Sequence, residues 1–237
     1  MAAEEEADEL FVASHDEEHL LELVTRRVSG EPLAWIIGEI DFCGVRVLVH
    51  PGVYVPRWQS EQLVRRGAEH LREGGIAVDL CTGSGAIALA LSVLAPRTEV
   101  LASEIDPVAL DCARANGVTV FEGDLDAGIP RRYAGTVDLV IGVVPYVPSA
   151  ELRLLPRDVV DYEPRLALEG GERGIEVLER ALEAAGRLLR RGGLALFELG
   201  GDEGDAMAAQ LGATGFSLAE LLVDDEGDIR GIAAYRI

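Results

Sequence analysis

The sequence predicts an α/β protein built on one doubly wound, mostly parallel sheet, and three observations carry that prediction. From Gly75 onward, short apolar runs alternate with helical segments. A glycine-rich turn, Asp79 to Gly85, joins the first run to its helix, and the chain closes on two β-type runs separated by a turn. Parallel neighbours cannot be joined by a tight hairpin and need a crossover, usually a helix, so regular alternation of strand and helix marks a parallel sheet. Two consecutive strands with no helix between them give an antiparallel hairpin, here added to one sheet edge.

Residues 1–30 read as a short helical leader. Leu10, Phe11, Leu20, Leu21, Leu23 and Val24 recur with helical rhythm among acids, the rhythm breaks near Ser14, and Gly30 ends it, which gives one or two amphipathic helices. Residues 31–74 form a linker region. Between Trp35 and Val55 the runs GVRVLVH and VYV, broken by Gly44 and by Pro51-Gly52, predict a small β-hairpin, and Ser60 to Leu71 predicts a helix. Residues 75–237 form the main domain: strand IAVDL, helix GAIALALSVLA, strand EVLASE, helix PVALDCARAN, then strands VTVFEG and VDLVIGV. A loop rich in proline and charge, Pro145 to Gly171, leads to a helix over 172–190, strand LALFEL and helix DEGDAMAAQLG. SLAELLV and GIAAYRI, joined by a turn at 224–227, make the closing hairpin.

The 237 residues are 49% hydrophobic and 27% charged, a globular composition with ample core. A net charge of −21 repels phosphate backbones and anionic lipid, which excludes direct nucleic-acid binding and a membrane partner as the main expectation. Every basic side chain other than histidine is arginine, a bias expected of the source genome. Cys43, Cys81 and Cys112 are odd in number and lack C-x-x-C spacing, so neither a disulfide framework nor a zinc site is predicted. The acidic start MAAEEEADEL lacks the basic, then apolar character of a signal peptide, and no run reaches the ~18 apolar residues of a membrane span. A cytoplasmic protein is expected.

The turn Asp79-Leu80-Cys81-Thr82-Gly83-Ser84-Gly85 carries the functional signal. Glycines between a strand and a helix let the backbone turn sharply and let a ligand approach the amides at the helix start. Glu104 ends the next strand, about twenty residues on, where a carboxylate can accept both hydroxyls of a ribose. A nucleoside-containing ligand follows. Gly83 to Ala88 also satisfies the G-x-G-x-x-A form of the dinucleotide fingerprint, so a nicotinamide or flavin enzyme stays open. S-adenosylmethionine is favoured, because Asp79 is placed to face its methionine portion and because the chain ends in a strand hairpin.

PLAWIIGEIDFCG, PGVYVPRWQSE, DLCTGSGAIALA, GDL, VPYVP, DYEPRLALEGGERG and RRGGLALFELG together resemble the protein-(glutamine-N5) methyltransferases, over about Glu31 to Arg236. The resemblance implies a Rossmann-like methyltransferase sheet with S-adenosyl-L-methionine as cofactor. It further implies a protein acceptor such as a translation termination factor. It places Asp79, Cys81, Thr82, Gly83, Ser84, Gly85, Glu104, Asp124, Leu125 and Val143 around the cofactor, and Val144, Pro145 and Tyr146 at the acceptor. One departure bears on the chemistry. The family's hallmark after the fourth strand is Asn-Pro-Pro-Tyr, and here Val143-Val144-Pro145-Tyr146 stands in its place. Valine cannot accept a hydrogen bond from the acceptor amide, so altered acceptor chemistry, a small-molecule acceptor or a cofactor-binding protein with little catalysis are the alternatives. The leader is also shorter than the helical domain with which the family grips its substrate.

Other residues invite chemistry less strongly. His15-Asp-Glu-Glu-His19 spaces two imidazoles by one turn, but the residue after the first is Asp16 and no third ligand is evident, so a solvated helix face is expected. His50 and His70 are isolated. Cys81 lacks a base partner and is expected to pack. Asp158, Asp161 and Glu163 are the acids of the proline-rich loop that can work as acid or base. Asn116, the sole asparagine, lies away from the missing one in sequence.

Overall fold

The computed structural model of the chain describes residues 3–199, 211–223, 227 and 229–237. Its elements run α1 (Ala3–Ala13), α2 (Glu17–Val28), α3 (Leu33–Ile37), β1 (Glu39–Phe42), β2 (Val45–Leu48), α4 (Glu61–His70), β3 (Ile76–Leu80), α5 (Ala86–Leu94), β4 (Glu99–Glu104) and α6 (Pro107–Ala115). There follow β5 (Val120–Glu122), β6 (Val137–Gly142), β7 (Val147–Pro148), α7 (Arg157–Val160), α8 (Arg165–Leu168), β8 (Glu169–Gly171), α9 (Glu176–Leu188), β9 (Leu189–Glu198), β10 (Phe216–Val223) and β11 (Ile229–Arg236). The expected helix DEGDAMAAQLG and the turn at 224–227 fall almost entirely outside the described residues.

Seven strands form one sheet in the order β10-β11-β9-β6-β3-β4-β5. β5, β4, β3, β6 and β9 are parallel, and β11 and β10 add antiparallel at the edge, so the doubly wound sheet with its closing hairpin is as the sequence predicts. Strand order reverses between β3 and β6, which opens a crevice at their carboxyl ends.

Both faces of the sheet are covered, and β9 shows how one strand serves two cores. Leu194 and Leu196 join the layer of α4 and α5, whereas Ala195 and Phe197 join the layer of α9. All four are at most 1% exposed, so the period-2 alternation of side chains sends apolar groups in both directions. α9 is amphipathic on the same logic: Leu178, Ala181, Leu182, Ala185 and Leu188 recur at three- and four-residue steps and all are buried.

The linker region differs from expectation in detail. Its hairpin pairs EIDF with VRVL through Cys43-Gly44, both with positive φ (54° and 75°), the conformation of a two-residue turn that matches strand twist. VYV is irregular, and Leu33–Ile37 is helical up to a left-handed Gly38, because Trp35, Val53 and Val55 are drawn into a small core with Ala109 and Cys112 of α6. Leader helices α1 and α2 are separated at Ser14, as read, and dock through Leu10 and Leu23 on Leu33 and Ile36 of α3. Asp16 caps α2 by accepting from the His19 amide at 2.8 Å, which gives the H-D-E-E-H run a structural task.

Candidate cofactor and acceptor cavity

A cavity of about 470 Å³ lies over the carboxyl ends of β3, β4, β5, β6 and β9. Each strand delivers one group to it: Cys81 to Ser84 after β3, Glu104 at the end of β4, Asp124 and Leu125 after β5, Val143 to Tyr146 after β6, and Glu198 at the end of β9. Of the residues expected from sequence, all line it except Asp79 and Gly85.

Those two act from behind the loop. Asp79 is fully buried behind the lining, and its Oδ2 accepts from the Thr82 hydroxyl at 2.5 Å, so it braces the turn. Burial raises its pKa to about 7, opposed by the Thr82 hydrogen bond. Gly85 has φ +85°, and a Cβ there would stand 2.7 Å from Val118 Cγ2 and 3.3 Å from Ala113. It is needed for close packing of the loop on α6. Gly83 differs: with φ +59° it faces open space, with nothing within 4 Å of a built Cβ. Only the first glycine therefore leaves room for a ligand.

Glu104 is 7% exposed and holds together the end of the cavity at the glycine loop. Its Oε2 accepts from the Gly83 amide at 2.8 Å, and its Oε1 accepts from the amides of Ile105 and Asp106 at 2.8 and 2.9 Å. Burial pushes its pKa up, while those three amides pull it down. The two amides on Oε1 use both of its lone pairs, and Oε2, with one amide, keeps one for a ligand. Asp124 forms an ion pair with Arg180. Cys81 adopts a left-handed φ of 57° beside Glu104, Asp79 and Asp124, and burial with those carboxylates drives its thiol pKa far up, which disfavours a nucleophilic thiolate. Asn116 is committed elsewhere: its amide bonds the backbone of Leu48 and the Ser84 carbonyl, stapling the glycine loop to β2.

The opposite end holds residues the sequence reading did not single out. Ser60 Oγ donates to Glu198 Oε2 at 2.5 Å, and the Tyr146 hydroxyl lies 3.4 Å from Glu198 Oε1. Arg57 stacks over the Tyr54 ring at 4.8 Å and donates to Glu163 at 2.5 Å. Burial raises the pKa of Tyr54 to about 12 and of Glu163 to about 6. Of the three loop acids only Glu163 is buried, and it serves as the Arg57 partner. The loop Pro145 to Gly171 folds back so that β8 pairs with β7, and it walls the cavity with Leu155, Val159 and Leu166. Gly170 and Gly174 let that wall close on Tyr146, since a Cβ at Gly170 would stand 2.7 Å from Tyr146 Cα and one at Gly174 2.5 Å from the Tyr146 carbonyl.

No family model matches the chain. Curated relatives do: the release factor glutamine methyltransferase of Moorella thermoacetica is 38% identical over 90% of this chain and 78% of its own length, and that of Geobacter sulfurreducens 35% over 82% and 69%. The chain belongs to the release factor glutamine methyltransferase family. The 4-amino-L-phenylalanine/4-methylamino-L-phenylalanine methyltransferase of Streptomyces pristinaespiralis is also similar, 36% identical over 81% of this chain and 69% of its own. Among solved structures, a methyltransferase from Pyrococcus furiosus shares the fold at a TM-score of 0.58 and 21% identity, covering 80% of this chain and 88% of its own. As a family member the chain is an S-adenosylmethionine-dependent methyltransferase. The cavity fits that cofactor, with an open face at Gly83 and a carboxylate at the neighbouring strand end. Among the described residues, no helix is long and apolar enough to cross a membrane.

Proposed function

We propose that the chain transfers a methyl group from S-adenosylmethionine to the side-chain amide nitrogen of a glutamine in a protein of the translation-termination class. The observation that carries this reading is the cavity mouth. Ile105 and Leu166 line the cavity yet stand about half exposed. Trp58, 75% exposed, lies between the lining residues Arg57 and Gln59, and the exposed Leu154 and Val160 adjoin the lining residues Leu155 and Val159. Large exposed apolar side chains on the segments that line the cavity favour a macromolecule that covers them. A free amino acid would be held by the interior alone. The family relatives named for release factors support the same acceptor.

When bound, S-adenosylmethionine supplies a methyl group on a positively charged sulfur. Cys81, Thr82, Gly83 and Ser84 would wall its site, Glu104 would accept from the ribose hydroxyls, and Asp124 with Leu125 would stand at the adenine. Val144 would offer its carbonyl to one amide N–H, and Pro145 and Tyr146 would wall the acceptor slot. The Val143 side chain offers no polar atom there. The missing hydrogen bond is worth ~0.5–1.5 kcal/mol, so orientation by the remaining groups sustains transfer at a reduced rate.

One observation favours a second reading, an arylamine acceptor. Val143 suits a nitrogen on an aromatic ring better than a primary amide, and one similar enzyme is named for such a substrate. Radiolabelled transfer to a termination factor and to 4-amino-L-phenylalanine separates the two. Label on the protein is expected; label on the small amine alone would replace the first reading by the second.

A further inference from the structure

The geometry points to Glu198 as the group that takes the proton released by the acceptor nitrogen, an inference that rests on the methyl-transfer reading above. Register places it there. β6 and β9 run parallel with Gly142 opposite Phe197, so the next step along the two strands sets Val143 beside Glu198, at the position where the family's asparagine is lost. Glu198 is 6% exposed, lines the cavity and, among the described residues, is held firmly on one side only. Its Oε2 is taken by the Ser60 hydroxyl at 2.5 Å, whereas Oε1 has a single long contact, 3.4 Å, to the Tyr146 hydroxyl.

The cavity's other described carboxylates are committed. Glu104 holds three backbone amides, Asp106 caps α6 through the Val108 amide, Asp124 pairs with Arg180, and Glu169 pairs with Arg165 and accepts from Ser149. Among the described residues, the groups facing Glu198 are Ser60 at the start of α4, Tyr146 after β6, Tyr54 and Arg57 on the segment before α4, and Arg230 on β11. Burial outweighs them and raises its pKa, which makes the carboxylate a better proton acceptor.

An amide nitrogen is a weak nucleophile because its lone pair is delocalised into the carbonyl. In the step, that lone pair forms the N–C bond while the methyl carbon–sulfur bond breaks and its electron pair stays on sulfur. One N–H proton passes to Oε1 of Glu198. The positive charge leaving sulfur is thereby balanced by the negative charge leaving the carboxylate, and Glu198 later returns the proton to water.

The test compares wild type, Glu198→Gln and Glu198→Asp, each with S-adenosylhomocysteine affinity, acceptor affinity for the S-adenosylhomocysteine complex, and the pH profile of kcat. Glu198→Gln keeps an acceptor oxygen for Ser60 and cannot take a proton. It should lose about 100-fold or more in kcat, a typical general-base contribution, with both affinities within threefold of wild type. Glu198→Asp should recover part of the rate. Wild-type kcat should fall with acidity along a limb above the ordinary carboxylate range, and the glutamine variant should lack that limb. A glutamine variant within threefold of wild-type kcat, or one that loses acceptor affinity in proportion to rate, overturns the assignment while leaving methyl transfer intact. If the termination factor is not methylated, the same comparison is read on 4-amino-L-phenylalanine, whose nitrogen must also shed a proton. Wild type silent on both overturns this inference together with the reading beneath it.

Discussion

Glu104 combines two demands that a single carboxylate can meet because it has several lone pairs. Three backbone amides fix it, and the side left over faces the cavity. Glu104→Gln keeps the shape but removes the charge and turns one acceptor into a donor. Affinity for S-adenosylhomocysteine should fall by about 1.5–3 kcal/mol, roughly 13- to 160-fold, by calorimetric titration; unchanged affinity would remove Glu104 from the cofactor site. Asp79 makes a pH prediction. Its folded-state pKa of about 7 lies above the usual aspartate value near 3.9, so between these values the native state holds a proton that the unfolded chain has lost. Its contribution to stability is greatest at low pH and is lost as pH rises through 7, at up to ~1.4 kcal/mol per pH unit. Asp79→Asn should flatten the fall in melting temperature between pH 5 and 7, and a slope equal to wild type would contradict the assigned burial. Glu104 was legible in the sequence because strand end and spacing locate it. Glu198, Tyr54 and Arg57 were not, since the contacts that define them join residues such as Ser60 and Glu198 across 138 positions of sequence.

At the scale of elements, the glycine loop was read correctly as a strand-to-helix turn, but its two glycines have different reasons that only packing reveals. Gly83 faces the cavity and Gly85 faces α6. Gly83→Val should abolish S-adenosylhomocysteine binding in a protein that still melts cooperatively, with a modest loss from the strained dihedral. Gly85→Val should lower stability by several kcal/mol as well, because its Cβ meets Val118 and Ala113. Equal melting temperatures for the two variants would refute the distinction. The linker hairpin was legible as a hairpin from Gly44, but not the identity of its first strand. VYV has strand-like composition, yet burial of Val53 and Val55 against α6 decides its path, and the Trp35 indole donates to the Val53 carbonyl at 2.9 Å. Likewise EGGERG was recognisable as a motif, while the reason for Gly170 and Gly174, room for the backbone of Tyr146, needed the folded loop.

At the scale of the molecule, the cavity divides into an end set by β3, β4 and β5, which the sequence made legible, and an end set by β6, β9 and the returning loop, which it largely did not. The first is built from neighbours in sequence and spacing; the second is assembled from four distant segments. Val143 lines the cavity after β6, and on the proposed function methyl transfer persists there with a weakened hold on an amide. The most direct measurement is mass spectrometry of a termination factor after incubation with S-adenosylmethionine and either wild type or Val143→Asn, with site mapping and initial rates. Wild type should add one methyl group to a single glutamine side chain, and Val143→Asn should do so about tenfold faster, equivalent to ~1.4 kcal/mol of recovered hydrogen bonding in the transition state. Brisk wild-type transfer that the asparagine does not improve would contradict the role given to Val143, and modification of neither variant's substrate would contradict the acceptor itself.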